Sequence, residues 1–112
     1  MNELPVIIRT HELYDQISKI TEKMAGLKRQ TIGRRCENKT LELLEILIMA
    51  KNAPRAMKAA YLIKATAVNE IINFHLRTLM NQKLANDTTL HQLLAKNDEI
   101  GRMIGGWRKS VQ

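Results

Sequence analysis

The sequence contains few of the residues that β-rich proteins need. Among 112 residues there are two prolines and five glycines, and only 4% of the residues are aromatic. β-Sandwiches and β-barrels require many turn residues and strands rich in aromatic or β-branched side chains. The dominant residues are instead Leu, Ile, Ala, Met, Lys and Glu, most of which favour helix. The composition therefore predicts an all-α protein.

Cysteine and long apolar runs are also scarce. The single cysteine, Cys36, excludes an intrachain disulfide and suits a reducing compartment, so we expect a cytoplasmic protein. The apolar run at residues 4–8 is short and has no basic residue before it, so we expect no signal peptide. The most apolar stretch, residues 43–50, includes Glu45 and is too short to span a bilayer. We therefore expect no association with a membrane.

Four segments of the chain have helical patterns. Their approximate ranges are 5–24, 32–50, 54–82 and 87–111. Apolar residues recur at three- and four-residue steps, as a helix with one buried stripe requires. We expect Gly26 to end the first helix and Asp87 or Thr88 to cap the fourth. Short links between the segments predict an antiparallel up-down-up-down four-helix bundle that forms a single domain over residues 1–112.

The third segment is apolar on two sides. One side carries Ala60, Ile63, Ala67, Ile71 and Phe74, and the opposite side carries Leu62, Ala65, Val68, Ile72, Leu76 and Leu79. A surface helix of a monomeric bundle should have one apolar stripe, so we predict that the second side contacts another subunit. The alternative is a central helix buried by its own chain, for which four helices leave little room. The predicted oligomer interface comprises Leu62, Val68, Ile72, Leu76 and Leu79.

Residues for catalysis or metal binding are not grouped in the sequence. None of the three histidines stands one helical turn from another histidine or from Cys36, as a helical metal pair requires. Glu42 and Glu45 are one turn apart, but no Glu-x-x-His motif accompanies them, and no phosphate-binding glycine motif occurs. We predict a protein without catalytic residues, metal or cofactor. Arg34 and Arg35 would lower the pKa of an exposed Cys36 thiol, but we expect a small buried side chain instead.

Positive charge predicts the class of partner. The net charge is +7 at pH 7, which attracts polyanions such as RNA or DNA. The basic residues concentrate in residues 19–39 and 51–64, and contacts of this kind with phosphates do not depend on base sequence. The alternative is a solvated surface with local ion pairs, such as Asp15 with Lys19. The candidate binding residues are Lys23, Lys28, Arg29, Arg34, Arg35, Lys51, Arg55 and Lys58.

The end of the chain has an unusual pattern of glycines. Gly101, Gly105 and Gly106 lie in the fourth helical segment, where each glycine costs about 1 kcal/mol relative to alanine. We expect these glycines to allow a close backbone approach to a neighbour. We expect Trp107 to pack in the core at the end of the bundle.

This glycine-containing segment resembles a known family. Residues 99–107, Glu-Ile-Gly-Arg-Met-Ile-Gly-Gly-Trp, are similar to the closing motif of the four-helix accessory proteins of diversity-generating retroelements, the accessory variability determinant family. Residues 74–79, Phe-His-Leu-Arg-Thr-Leu, resemble the family pattern on the third helix, and residues 32–35 and the Leu-rich run ending at Ala50 resemble the second helix. The related four-helix proteins encoded in ribosomal RNA intervening sequences carry an Asn-Ile-Ala-Glu-Gly motif that this chain lacks.

The resemblance implies a function. Family members form a homopentamer, bind the retroelement reverse transcriptase and contact its nucleic acids, and Arg77 matches a family arginine used for such contacts. Asn73 stands where another basic residue can occur in the family. We therefore expect a non-enzymatic, basic, oligomeric accessory protein that supports mutagenic reverse transcription. The alternatives are the helical non-catalytic partner of a nucleotidyltransferase in a toxin–antitoxin pair and a ribosomal RNA intervening-sequence protein of unknown function. The neighbouring reading frame distinguishes them.

Overall fold

Four long helices account for most of the chain. In a computed structural model, which describes residues 3–112 and the side chains from Pro5 onward, these helices are α1 (Glu3–Glu22), α2 (Arg34–Asn52), α3 (Arg55–Asn81) and α4 (Asp87–Ser110). Residues 3–112 include no β-strand. Helix α2 packs against α3, α3 against α4, and α1 against both α2 and α4. The prediction of an all-α bundle is confirmed.

Two ion pairs join α1 to α4. Arg9 Nε lies 3.5 Å from Glu99 Oε1, and Lys96 Nζ lies 3.8 Å from Glu12 Oε1. From the first pair to the second, the residue number rises from 9 to 12 in α1 and falls from 99 to 96 in α4. The predicted antiparallel order requires this opposite direction of the two helices. Asp15 lies 3.9 Å from His11, and the expected pair of Asp15 with Lys19 is not among the ion pairs of the described residues.

The end of α1 differs from the prediction. Pro5 lies in the first turn of α1, where its missing N–H costs no intrahelical hydrogen bond. The expectation that Gly26 ends the helix in a left-handed conformation is wrong, because no glycine among the described residues has a positive φ. The amides of Lys23 and Met24 instead bond to carbonyls three residues earlier, both at 3.1 Å. Gly26 begins a short helical turn that continues through a π-helical turn, Arg29–Gly33, into α2.

Gly33 is buried where this linker meets α1. A methyl group added at Gly33 would lie 2.8 Å from Thr21 Cγ2 and 3.0 Å from Met24 Sδ. These distances are shorter than van der Waals contact, so a larger residue at this position would have to displace the Thr21 and Met24 side chains.

Helix α4 is capped by a residue that the sequence pattern did not indicate. Asn86 has an extended backbone, and its Oδ1 accepts a hydrogen bond of 3.1 Å from the Thr89 amide. Asp87, which we expected as a cap together with Thr88, is already the first residue of the helix. The preferred N-cap geometry joins the cap side chain to an amide two or three residues later, and Asn86 satisfies it.

The buried side of α3 is opposite to the one predicted to face the core. The five residues of the predicted oligomer interface are each at most 4% exposed in the single chain: Leu62, Val68, Ile72, Leu76 and Leu79. Their assignment to a subunit interface is wrong, because the chain's own helices cover them. The side expected to fill the bundle is the exposed one, with Ile63 51% and Phe74 69% exposed.

Polar residues explain this orientation of α3. The stripe of Ile63 also contains Glu70 and Arg77 at seven-residue steps, which would be buried unpaired if that stripe faced inward. Between Leu62 and Leu79 the stripe of Leu62 contains no charged residue, and its polar residue is the uncharged Asn69. The stripe of Leu62 also carries more large apolar side chains, so both apolar content and the cost of burying charge favour it as the core side.

Asn69 has a partner in the bundle interior. Its Nδ2 donates to Asn97 Oδ1 at 2.8 Å and to the Asn97 carbonyl at 3.0 Å, and Asn97 Nδ2 donates to the Asn69 carbonyl at 3.0 Å. Asn97 is 1% exposed, so these bonds satisfy a polar group that would otherwise be costly to bury. The amide pair joins α3 to α4 at one register.

Gly101 makes room for this amide pair. A methyl group at Gly101 would lie 2.6 Å from Asn69 Oδ1, which confirms the expected close approach at this glycine. At Gly105 and Gly106 an added methyl group meets nothing within 4 Å, so the close approach is not found at these two within the chain. Trp107 is 6% exposed and belongs to the core, as predicted.

Two basic side chains stabilise helix C-termini. Lys58 is half-buried, and its Nζ donates to the carbonyls of Ala50 and Lys51 at 2.8 Å each. Arg55 Nη2 donates to the Ser110 carbonyl at 3.1 Å. The last carbonyls of a helix have no intrahelical donor, and a cation there also offsets the negative end of the helix dipole.

We predict opposite effects of alanine at Gly101 and at Gly105. Gly105→Ala should raise the free energy of unfolding by about 0.5–1 kcal/mol, because alanine favours helix and the site is open. Gly101→Ala should lower it by about 1–2 kcal/mol, because the methyl group displaces Asn69 from its hydrogen bonds. Urea unfolding followed by circular dichroism measures both. Equal effects of the two substitutions would show that the Asn69–Asn97 pair does not depend on Gly101.

We also predict that Lys58→Ala destabilises the fold more than Lys51→Ala. Both substitutions remove one positive charge near the end of α2, but only Lys58 donates hydrogen bonds to the carbonyls of that end. Lys58→Ala should lower the free energy of unfolding by about 1–3 kcal/mol, and Lys51→Ala should lower it by only about a few tenths. Urea unfolding at one protein concentration measures the difference. Equal effects would mean that charge alone, and not the capping geometry, stabilises the helix end.

Candidate nucleic-acid interface

Basic residues gather at the end of the bundle where the α1–α2 linker meets the α3–α4 loop. Lys28 Nζ donates to Gln82 Oε1 at 3.0 Å and joins the two connections. Residues 19–35 and 77–83 meet in this region and include one acidic residue, Glu22. We call this region the basic end. Its basic residues are Lys19, Lys23, Lys28, Arg29, Arg34, Arg35, Arg77 and Lys83.

Three of the predicted binding residues are exposed at the basic end without an intramolecular polar partner. Lys23, Arg34 and Arg35 have no hydrogen bond or ion pair in the described part of the chain. Lys51 is likewise exposed and unpaired among the described side chains, but it lies at the opposite end of α2. A cation without an intramolecular partner is free to contact a phosphate, so these positions fit the prediction of nucleic-acid binding best.

Arg77 is exposed and oriented by a neighbour. Its Nε donates to Asn73 Oδ1 at 2.7 Å, and Asn73 Nδ2 lies 3.4 Å from Asp98 Oδ1. The bond uses one of the five N–H groups of the guanidinium, so donors remain for a phosphate. Asn73 thus positions Arg77.

Other predicted binding residues have structural contacts. Arg55 and Lys58 lie away from the basic end and donate to helix carbonyls as described above. Arg29 Nη1 donates to the Glu22 carbonyl at 3.3 Å, at the end of α1. The structure therefore does not bring all nine predicted residues onto one surface. Six of them lie at the basic end: Lys23, Lys28, Arg29, Arg34, Arg35 and Arg77.

A groove between α2 and α3 adjoins the basic end and was missed in the sequence. It has a volume of about 480 Å³ and is lined by Arg35, Asn38, Lys39, Glu42 and His75. Lys39 Nζ lies 3.0 Å from Glu42 Oε2. Burial lowers the pKa of His75 below its ordinary value, and the positive charges of Lys39 and Arg35 lower it further. His75 is distant from the others in sequence, and only the register of the α2–α3 hairpin would have placed them together.

A second cavity lies between α1 and α4. It has a volume of about 360 Å³, with Lys19 and Lys23 on one side and Asn86 and Gln92 on the other. Ile20 and Leu93 contribute apolar surface to it. This cavity places two further lysines of the basic end beside amide side chains, and no sequence motif indicated it.

Large apolar side chains are exposed on the outward sides of α2 and α3, beside the exposed charged residues Glu45 and Lys64. The large apolar side chains here are at least 37% exposed. A solvated surface does not usually concentrate such side chains in one region. We call this surface the outer apolar face. Its residues are Leu41, Ile48, Met49, Met57, Ile63, Ile71 and Phe74.

Cys36 is a buried, unreactive side chain, as expected. It is fully buried, and burial raises the pKa of its thiol to about 12, with a further contribution from the Glu37 carboxylate. The alternative of a reactive thiolate is wrong, because burial and the Glu37 carboxylate both disfavour the charged thiolate. Within residues 3–112 no three His, Cys, Asp or Glu side chains are grouped as a metal site would require.

None of the helices within residues 3–112 combines the length and hydropathy that crossing a bilayer demands.

Comparison with known proteins identifies the family. No curated protein and no solved structure matches the chain. A family model described as bAvd-like matches residues 6–111, which include nearly all of α1, the other three helices and the closing glycine-containing segment. This match confirms the resemblance to the accessory variability determinant family that the sequence motifs indicated. The chain is therefore a member of the bAvd-like family.

Proposed function

We propose that this protein is a non-enzymatic accessory subunit that binds nucleic acid and a retroelement reverse transcriptase and so supports mutagenic reverse transcription. The observation that carries the proposal is the basic end, where eight basic residues meet one acidic residue in a chain that matches the bAvd-like family over residues 6–111. Phosphates of RNA or DNA are the polyanions that such a surface attracts without reading base sequence.

The proposal includes self-association through the outer apolar face. Seven large apolar side chains on the outward sides of α2 and α3 remain in contact with water in the single chain. A second copy that covers this face would remove that surface from water, at about 25 cal/mol for each Å² buried. We propose a homopentamer of antiparallel up-down-up-down bundles. The basic ends of several copies would then act together, so weak phosphate contacts would add.

Charge also indicates what the chain would contact when it is bound beside the reverse transcriptase. The reverse transcriptase holds nucleic acid during synthesis, so a basic accessory protein placed beside it would contact strands that enter or leave. Contacts of this kind would raise the local concentration of nucleic acid without catalytic groups of their own.

We predict that nucleic-acid binding depends on the basic end and on salt. The double variant Arg34→Ala/Arg77→Ala should weaken binding to unrelated oligonucleotides to a similar extent. It should also lower the slope of log affinity against log salt by about one unit for each phosphate that the variant no longer neutralises. Fluorescence anisotropy at salt concentrations from about 50 to 200 mM measures both effects.

The matched control is Arg9→Ala/Lys96→Ala. It removes the same charge from partly exposed ion pairs with Glu99 and Glu12 on the α1–α4 side of the bundle. Such pairs contribute little to stability, so the fold should tolerate the change. Equal weakening by the two double variants would show that net charge alone attracts nucleic acid. Binding that does not change with salt would contradict the proposal.

A further inference from the structure

The groove between α2 and α3 combines three nitrogen donors that suit an oxyanion. Arg35, Asn38 and His75 line it together with Lys39 and Glu42, and its volume is about 480 Å³. Arg35 has no polar partner in the described part of the chain, so its guanidinium is free to bind two oxygens of one phosphate. The Asn38 amide and the His75 ring add donors from the same groove.

The charge of the groove is positive even with a neutral imidazole. Glu42 is the only acidic residue of the lining, and Lys39 Nζ, 3.0 Å from its Oε2, neutralises it. The unbalanced charge is that of Arg35. A monoanion such as a backbone phosphodiester would therefore match the groove, whereas a cation would be repelled.

His75 makes the groove sensitive to an occupant. The charged groups that face it are Arg35, Lys39 and Glu42, all from α2. Burial, with the charges of Lys39 and Arg35, lowers the pKa of His75 in the free protein. An anion in the groove would oppose the effect of these two cations and favour the protonated ring, so binding would take up a proton.

We propose that the Arg35–Asn38–His75 groove binds a phosphate of the nucleic-acid backbone, which gives the proposed nucleic-acid-binding function a specific phosphate site. His75 donates a hydrogen bond to the phosphate in its neutral form and adds a charge when protonated. Affinity is then highest below the pKa of His75 in the free protein and declines as the pH rises through its pKa in the complex.

The test uses NMR of the three histidine rings in the full-length protein. His75 is titrated between pH 5 and 8, first alone, then with inorganic phosphate, then with a short single-stranded oligonucleotide of mixed sequence. Both ligands should raise the pKa of His75. At each pH, neither ligand should change the ring signals of the exposed His11 and His91. Each unit by which the oligonucleotide raises this pKa corresponds to about a ten-fold decrease of affinity across the titration.

Substitutions locate the effect in the groove. Arg35→Ala should abolish the rise of the His75 pKa on oligonucleotide addition. His75→Gln should remove the pH dependence of affinity, whereas His91→Gln should preserve it. An oligonucleotide that binds, as anisotropy shows, but leaves His75 unchanged would overturn the phosphate site and not the proposed function. A response to inorganic phosphate without any oligonucleotide binding would contradict both the backbone-phosphate assignment and the proposed function.

Discussion

Helix α3 is apolar on two sides, but the rest of the chain, chiefly α2 and α4, buries only one of them. The chain covers the Leu62 side completely and leaves Ile63 and Phe74 in contact with water. Burying the other side would have taken Glu70 and Arg77 into the core without partners, at a cost of several kcal/mol. This difference fixes the rotation of α3, and with it the surface that remains for a second molecule and the direction in which Arg77 and His75 point.

Polar contacts inside the bundle fix the register between α3 and α4. The rotation of α3 about its own axis does not determine this register. Apolar side chains tolerate a slide of one helix along another, whereas the Asn69–Asn97 amide pair satisfies its donors at one position. Gly101 lies against the Asn69 oxygen, so this glycine serves the register of α3 and α4. That register places Asn73 beside Asp98, and Asn73 in turn orients Arg77. The position of a candidate binding residue therefore follows from a buried amide pair on the same two helices.

The sequence predicted the helices well and the surfaces less well. Apolar periodicity located four helices, because it depends on local spacing, and the core position of Trp107 and Cys36 was confirmed. The same periodicity did not tell the two sides of α3 apart, although the heptad spacing of Glu70 and Arg77 held the necessary signal. The groove around His75 depends on contacts between α2 and α3, which no local pattern encodes. The interface predicted from charge alone also included too many residues. Arg55 and Lys58 belong to a basic run in the sequence, but in the structure they donate hydrogen bonds to helix carbonyls.

Further copies of this chain cover the outer apolar face in the proposed assembly, and sedimentation equilibrium of the purified protein at micromolar concentration tests this most directly. We predict a mass near five times 12.9 kDa, and a fall towards 12.9 kDa for Ile63→Asp with unchanged helical circular dichroism. A mass of 12.9 kDa for the unmodified chain would contradict the proposed assembly, as would an oligomer that Ile63→Asp leaves intact.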